Sequence, residues 1–493
     1  MSSVATGTAK PGYRHFIAGQ WVDAADGGSF DDLNPYTGEV VATAAAGTRE
    51  DARRAVRAAA EAFPAWSQVP PAERQRVFLK AADLLEQRGD QVVALLADET
   101  GCSFGFGMFQ LGFVGGLLRQ AAGTAYAPIG QVLPSDVPGA FAMGIRRPVG
   151  VVGAIAPWNA ALILSARSIA APLVLGNTVV SKPSEESPFV GGLLWGEIFT
   201  EAGLPDGVLN IVTHGPGQAG PIGDELVENP DVRRINFTGS TATGRKLAEA
   251  AGRHLKRIVL ELGGFNPLIV LADADIEYAV NATAFGAFLH QGQICMSARR
   301  IIVDRPIAEE FVGRLAAKTA GLKVGDPNEH DTVIGPLINQ RALDTVAGRV
   351  ADAVAKGARV LAGGEREGRC FQATLLADVP ADSELARLET FGPVAAVEVV
   401  DGEDAAVRRA NDTPYGLAAG IITSDPDRGL ALAEQLQSGI VHVNDQPVHD
   451  EPQMPFGGVK DSGWGRFGST AAADEFTELR WVTVQSGTRP FPF

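Results

Sequence analysis

Cysteine is scarce. The 493 residues contain three, Cys102, Cys295 and Cys370, with no CxxC pair and no metal-ligand spacing. That excludes a disulfide scaffold and a zinc module, and it fits a reducing compartment, expected to be the cytoplasm. Long apolar runs are missing too. None approaches the roughly 20 residues of a membrane span, so no membrane partner is expected. Residues 1–13 are polar and lack the apolar centre of a secretory signal. Positive charge is in deficit, 42 Lys and Arg against 58 Asp and Glu, a net −16. This balance argues against a nucleic-acid partner. Internal repeats and low-complexity segments are absent. What is present, 45% hydrophobic and 20% charged residues, is ordinary globular composition. At roughly 150 residues per domain, the length allows two to four domains.

Thr48 and Asp51 form a capping-box pattern ahead of Ala52, Val56, Ala59, Ala60 and Phe63 at helical spacing. Pro64 is expected to stop that helix, and a second is expected over 71–87. From Val149 onward the pattern alternates. Short apolar runs at 151–156, 177–181, 207–212, 232–237 and 258–262 read as strands. Stretches 162–175, 189–202 and 242–251 read as helices. Apolar strands alternating with helices predict a parallel sheet covered on both faces. Ligands bind such sheets at the carboxyl ends of the strands. A second α/β segment begins at Asn266 and runs to about Phe467. The β-rich tail 481–485 is isolated and needs a partner strand elsewhere.

The chemistry-bearing motifs of the first α/β half sit at those strand ends. Cys295 follows a helix in His290-Gln291-Gly292-Gln293-Ile294-Cys295-Met296, and Glu261-Leu262-Gly263-Gly264 closes a strand. A thiol and a carboxylate beside glycine-bearing backbone suit covalent catalysis with a proton acceptor; a lone cysteine is more often a small buried hydrophobe. Phe237-Thr238-Gly239-Ser240-Thr241-Ala242-Thr243-Gly244 leads from strand to helix. Its glycines and free helical N–H groups suit a phosphate, although a plain tight turn reads the same way. Lys182 and Glu185 follow another strand. They can hydrogen-bond ribose hydroxyls, with Glu185 repelling a 2′-phosphate, or simply pair in a solvated loop. Asn159, in Pro157-Trp158-Asn159, can donate to an oxyanion or form an Asx-turn. Glu389 and Phe391, in Glu389-Thr390-Phe391-Gly392-Pro393, can contact a ribose and a nicotinamide ring, or serve a surface turn and the core.

Taken in order, these motifs resemble those of the aldehyde dehydrogenase superfamily, from about Phe16 to the C-terminus. The resemblance implies an α/β fold: a Rossmann-like NAD-binding domain (1–127 and 148–261), an α/β catalytic domain (262–476) and a small β extension for oligomerisation (128–147 and 477–493). It implies Cys295 as nucleophile, Glu261 as general base, and Asn159 with the Cys295 N–H as oxyanion hole. Ile155, Trp158, Lys182, Glu185, Gly215, Phe237, Gly239, Ser240, Thr243, Leu262, Glu389 and Phe391 fall on its cofactor-contacting positions. NAD is the expected cofactor, NADP the less expected one. The expected partners are a small aldehyde and a second copy of the chain, in a homodimer or homotetramer. A nucleophilic thiol implies a lowered pKa for Cys295.

Two departures bear on the substrate. Arg167 stands where many relatives carry Trp, and Phe467 where many carry a second acid. With the segment 448–458, both resemble the benzaldehyde, vanillin and salicylaldehyde dehydrogenase branch. Arg167 can read a phenolic hydroxyl, a carboxylate or an aromatic face, or pair with a core acid. Phe109, Phe113, Ile294, Met296 and Phe456 are expected tunnel walls, and His449 a candidate partner for a ring hydroxyl. The alternatives are an aliphatic or semialdehyde dehydrogenase whose Arg167 binds a carboxylate, and a non-catalytic protein on the same scaffold.

Overall fold

The computed structural model describes residues 12–468 and 470–493. Most of the polar leader 1–13 lies outside the described residues. Thr48 and Asp51 make the expected capping box, and Ala52, Val56 and Ala59 are fully buried beneath it. Pro64 does not stop this helix, which spans Arg49–Trp66. A proline so near the C-terminal end forfeits one backbone bond only. The last turn is held from outside, where the Trp66 indole N–H donates to the Leu173 carbonyl at 2.9 Å.

The first large sheet has eight strands. Five run parallel in the spatial order Leu209–Ile211, Thr178–Lys182, Val151–Ile155, Val232–Thr238, Arg257–Glu261. Chain order reverses between Val151–Ile155 and Val232–Thr238, which opens a crevice at their carboxyl ends. All five residues of Val151–Ile155 and of Thr178–Lys182 are buried, as helices on both faces require. His15–Ile17 and Gln20–Val22 extend one edge in antiparallel fashion.

The opposite edge is completed by Gly463–Trp464, a strand from far along the chain. It pairs antiparallel with Arg257–Glu261, Glu261 against Gly463. The segment 262–476 is therefore not confined to the second sheet. Gly463 has φ +109°, and a Cβ there would come within 2.0 Å of the Leu260 carbonyl oxygen.

The second sheet has seven strands. Asn266–Val270 lies between Ala298–Asp304 and Ala418–Ile422, all parallel. Its first strand leaves directly from the Glu261 turn, so the two sheets face one shared cleft. A third, antiparallel sheet pairs the tail strand Thr477–Gln485 along its full length with Ala140–Pro148, and that strand with Gly130–Leu133. The tail thus finds its partner within its own chain. Val132, Phe141, Leu479 and Trp481 of this sheet are exposed.

Gly463→Ala is expected to cost about 1–3 kcal/mol of stability through strain at this close approach. A melting temperature equal to that of the parent would contradict it.

Candidate active site

Cys295 owes its position to an unusual turn. The helix Ile276–Phe288 ends, and His290, Gln291 and Gly292 follow with φ of 50°, 54° and 64°. Gly292 packs so closely on Gly392 that a Cβ would lie 2.2 Å from its carbonyl oxygen. Two non-glycine residues in this left-handed region are strained, and surrounding bonds hold them there. The Gln291 amide donates to the carbonyls of Gly101 and Pro336, both at 3.0 Å. Asn266 Nδ2 donates to the Cys295 carbonyl at 2.8 Å and the Ser297 carbonyl at 3.0 Å. Arg299 donates to the Gly392 carbonyl at 2.6 Å.

Two cavities meet at this loop. One, of about 580 Å³, runs between Phe106, Phe109, Arg167, Phe285, Ile294, Met296, His449, Asp450 and Phe456. The other, of about 230 Å³, lies against Trp158, Gly239, Ser240, Glu261, Leu262, Gly263, Glu389 and Phe391. Among the described residues, only Cys295 and Asn159 line both. A molecule entering the apolar tunnel and one lying along the strand ends can therefore meet at the thiol.

The charges around the thiol are desolvated. Glu261 is 2% exposed, and neither carboxylate oxygen has a hydrogen-bond partner among the described residues. Burial holds its carboxyl well above the usual range, opposed in part by Arg167 and Arg466. A carboxyl so placed takes a proton readily near neutral pH. The Cys295 thiol is pushed up to about 12, first by burial and then by Glu389 and Glu261. This corrects the expectation of a lowered pKa. Arg167 offsets the desolvation only in part, so the resting sulfur keeps its proton.

The smaller cavity has room for the nicotinamide end of a dinucleotide, not for the whole molecule. Trp158 and Phe391 meet edge to face at 5.7 Å. Gly263 leaves room for Glu389, whose carboxylate would be 2.3 Å from a Cβ there and accepts the Gly264 N–H at 3.2 Å. The helix Thr241–Arg253 starts at the Ser240 cap and presents free N–H groups. Ile155 and Phe237 are paired in register and buried beneath it; Thr243 N–H bonds the Ser240 hydroxyl at 3.4 Å. Lys182, Glu185 and Gly215 do not line this cavity. They gather with His214 further along the same sheet edge, where Lys182 Nζ lies 2.6 Å from His214 Nε2.

On the tunnel side, Arg167 is 7% exposed, with its guanidinium 4.3 Å from the Phe456 ring centre. It is both things the sequence allowed, a tunnel wall and an arginine paired with a buried acid, because its Nη2 donates to Asp450. Phe113 is a correction: it does not line the tunnel. It packs behind, 5.6 Å from the Arg167 guanidinium and 5.9 Å from Phe109. His449 reaches the cavity but is held by Asp445 at 2.7 Å, which raises its pKa. Asp450, Phe106, Phe285 and His214 were not singled out from sequence. Asp450 stood in a quoted segment, but nothing local connects it to an arginine 283 positions earlier.

A half-buried thiol, an amide and an isolated carboxyl meet where the carboxyl edge of the first sheet faces the amino edge of the second, an arrangement suited to covalent thiol chemistry. The chain belongs to the aldehyde dehydrogenase family, whose sequence pattern matches residues 21–482. It is 50% identical over 476 residues to a vanillin dehydrogenase of Pseudomonas fluorescens, covering 97% of this chain and 98% of that one. It is 42% identical over 482 residues to a benzaldehyde dehydrogenase (NAD(+)) of Pseudomonas putida, 98% of each chain. The crystal structure of a salicylaldehyde dehydrogenase from Pseudomonas putida G7, complexed with salicylaldehyde, superposes with a TM-score of 0.95 at 43% identity. It covers 98% of this chain and 100% of that one.

In the cofactor-free protein, alkylation of Cys295 by iodoacetamide is expected to accelerate about tenfold per pH unit from about pH 7 to about pH 9, because thiolate is a minor species there. Cys295→Ala supplies the background. A rate already level below about pH 8 would mean the thiol is ionised at rest.

Proposed function

We propose that this protein oxidises aromatic aldehydes to carboxylic acids, using NAD and the Cys295 thiol. The reading rests on the tunnel wall, where Arg167 lies over Phe456 and is bonded by Asp450, beside the approach to Cys295. An apolar channel with a cation held over an aromatic face suits a flat ring with a hydroxyl or methoxyl group. Asp450 already balances the arginine, so a substrate carboxylate would meet a neutral pair; this weighs against the semialdehyde alternative. The named substrates of the relatives, vanillin, benzaldehyde and salicylaldehyde, support the same class.

The residues supply the steps. Cys295 gives up its proton to water in the tunnel, its sulfur bonds to the aldehyde carbon, and the carbonyl oxygen becomes an alkoxide. The Asn159 amide and the Cys295 N–H hold that alkoxide, a contribution of about 100- to 1000-fold per donor. NAD, when bound along the strand ends, accepts the hydride. Collapse of the alkoxide leaves a thioester on Cys295. Glu261 takes a proton from water, the hydroxide adds to the thioester, and the acid departs with the thiol restored. Phe467 provides no second acid, so Glu261 works alone. Glu185 beside the expected ribose favours NAD over NADP. The exposed apolar side chains of the third sheet support a homo-oligomer, dimer or tetramer, and the cysteine usage supports a cytoplasmic setting.

Steady-state rates on benzaldehyde, vanillin, salicylaldehyde and succinate semialdehyde test the substrate class. An aromatic preference is expected, with no NADH formed by Cys295→Ala; a preference for the dicarboxylate precursor would overturn the reading. Arg167→Met combined with Asp450→Asn, which removes both charges together, is expected to slow phenolic aldehydes about tenfold more than benzaldehyde. Equal losses would remove the pair from substrate reading. Glu261→Gln is expected to keep a first burst of NADH while later turnover falls about 100-fold or more. Burst and turnover failing together would deny it the hydrolytic role.

A further inference from the structure

Lys182 is 6% exposed, and its ammonium has two hydrogen-bond partners among the described residues. One is the Pro183 carbonyl at 3.2 Å. The other is His214 Nε2 at 2.6 Å. His214 is fully buried, and its other nitrogen, Nδ1, lies 3.0 Å from the Gly215 carbonyl. A carbonyl only accepts, so Nδ1 carries the ring proton and Nε2 offers a lone pair to the lysine. The imidazole is neutral: burial, then Lys182, push its pKa down to about 4.

Glu185 stands on the far side of this arrangement. Its carboxylate is 3.7 Å from His214 Nε2 and accepts the Ser184 hydroxyl at 3.2 Å. It makes no ion pair with Lys182 within 4 Å, although both groups lie within 4 Å of the same ring nitrogen. The lysine bonds the histidine rather than its nearest carboxylate.

We infer that His214 is a positioning residue for the cofactor's adenosine ribose, acting through Lys182. By taking one ammonium N–H it leaves another for a ribose hydroxyl, and it leaves Glu185 negative to accept from the second hydroxyl and repel a 2′-phosphate. The inference rests on the reading of the protein as an NAD enzyme. Without His214, the buried ammonium has one acceptor fewer, and Glu185 is the carboxylate acting on it. The lysine then turns to Glu185, both groups are lost to the ribose, and the charge that excludes a 2′-phosphate is cancelled.

Fluorescence titration of NADH and NADPH into the full-length protein tests this without turnover. His214→Phe is expected to weaken NADH about tenfold while leaving NADPH no weaker, so the ratio of the two dissociation constants falls about tenfold. His214→Gln, whose amide oxygen can accept from Lys182, is expected to restore both values to within about threefold. His214→Phe with unchanged affinities, or both variants weakening the two nucleotides equally, overturns the proposal. A parent protein that oxidises aldehydes yet binds neither nucleotide overturns the NAD reading and the inference with it.

Discussion

The left-handed run His290-Gln291-Gly292 is the constraint on which the site depends. It converts the end of a helix into a loop that brings Cys295 to the constriction between two cavities. Two residues with side chains are strained in that conformation, and the strain persists because Gln291, Asn266 and Arg299 each bond backbone carbonyls around it. The glycine of the run meets Gly392 backbone to backbone, which ties the nucleophile's loop to the one carrying Glu389 and Phe391. The loops bearing Cys295 and Phe391 thus meet backbone to backbone at two glycines.

The second theme is buried charge. Glu261, Cys295, Arg167 and Asp450 sit in one desolvated neighbourhood, where each carries part of another's electrostatic burden. Arg167 and Asp450 cancel, while burial raises the proton affinity of both Glu261 and the thiol. Phe467, which replaces an acid, supports this economy of charge. Its backbone bonds Phe456 in both directions at 2.9 Å and fixes the ring against which the arginine stacks. The two departures noted in the sequence are therefore neighbours in one construction.

Much of the architecture was legible in the sequence because strands buried on both faces write unbroken apolar runs, and caps such as Thr48 with Asp51 write local spacing. The convergence of Asn159, Glu261 and Gly239 at strand ends followed from that alternation; the placing of Cys295 beside them did not. Other features lay outside local pattern. Pro64 could remain helical because Trp66 is tethered to Leu173 more than 100 positions away. Gly463 and Trp464 carry no strand pattern of their own, yet they complete the first sheet. The partner of Arg167 and the high pKa of Cys295 depend on burial by distant segments, which no spacing encodes. Phe113 occupied the right helix but the wrong face of its neighbour.

The tail strand carries a consequence for how the protein is made. Thr477–Gln485 zips against Ala140–Pro148 over nine residue pairs, and the Asn177 side chain donates to the Phe476 carbonyl at 2.9 Å. During synthesis the receiving strand emerges more than 300 residues before its partner. Its edge stays without that partner until Thr477–Gln485 leaves the ribosome. An interrupted chain would hold most of the first sheet yet present a bare strand edge, the form of backbone most prone to pair with another copy.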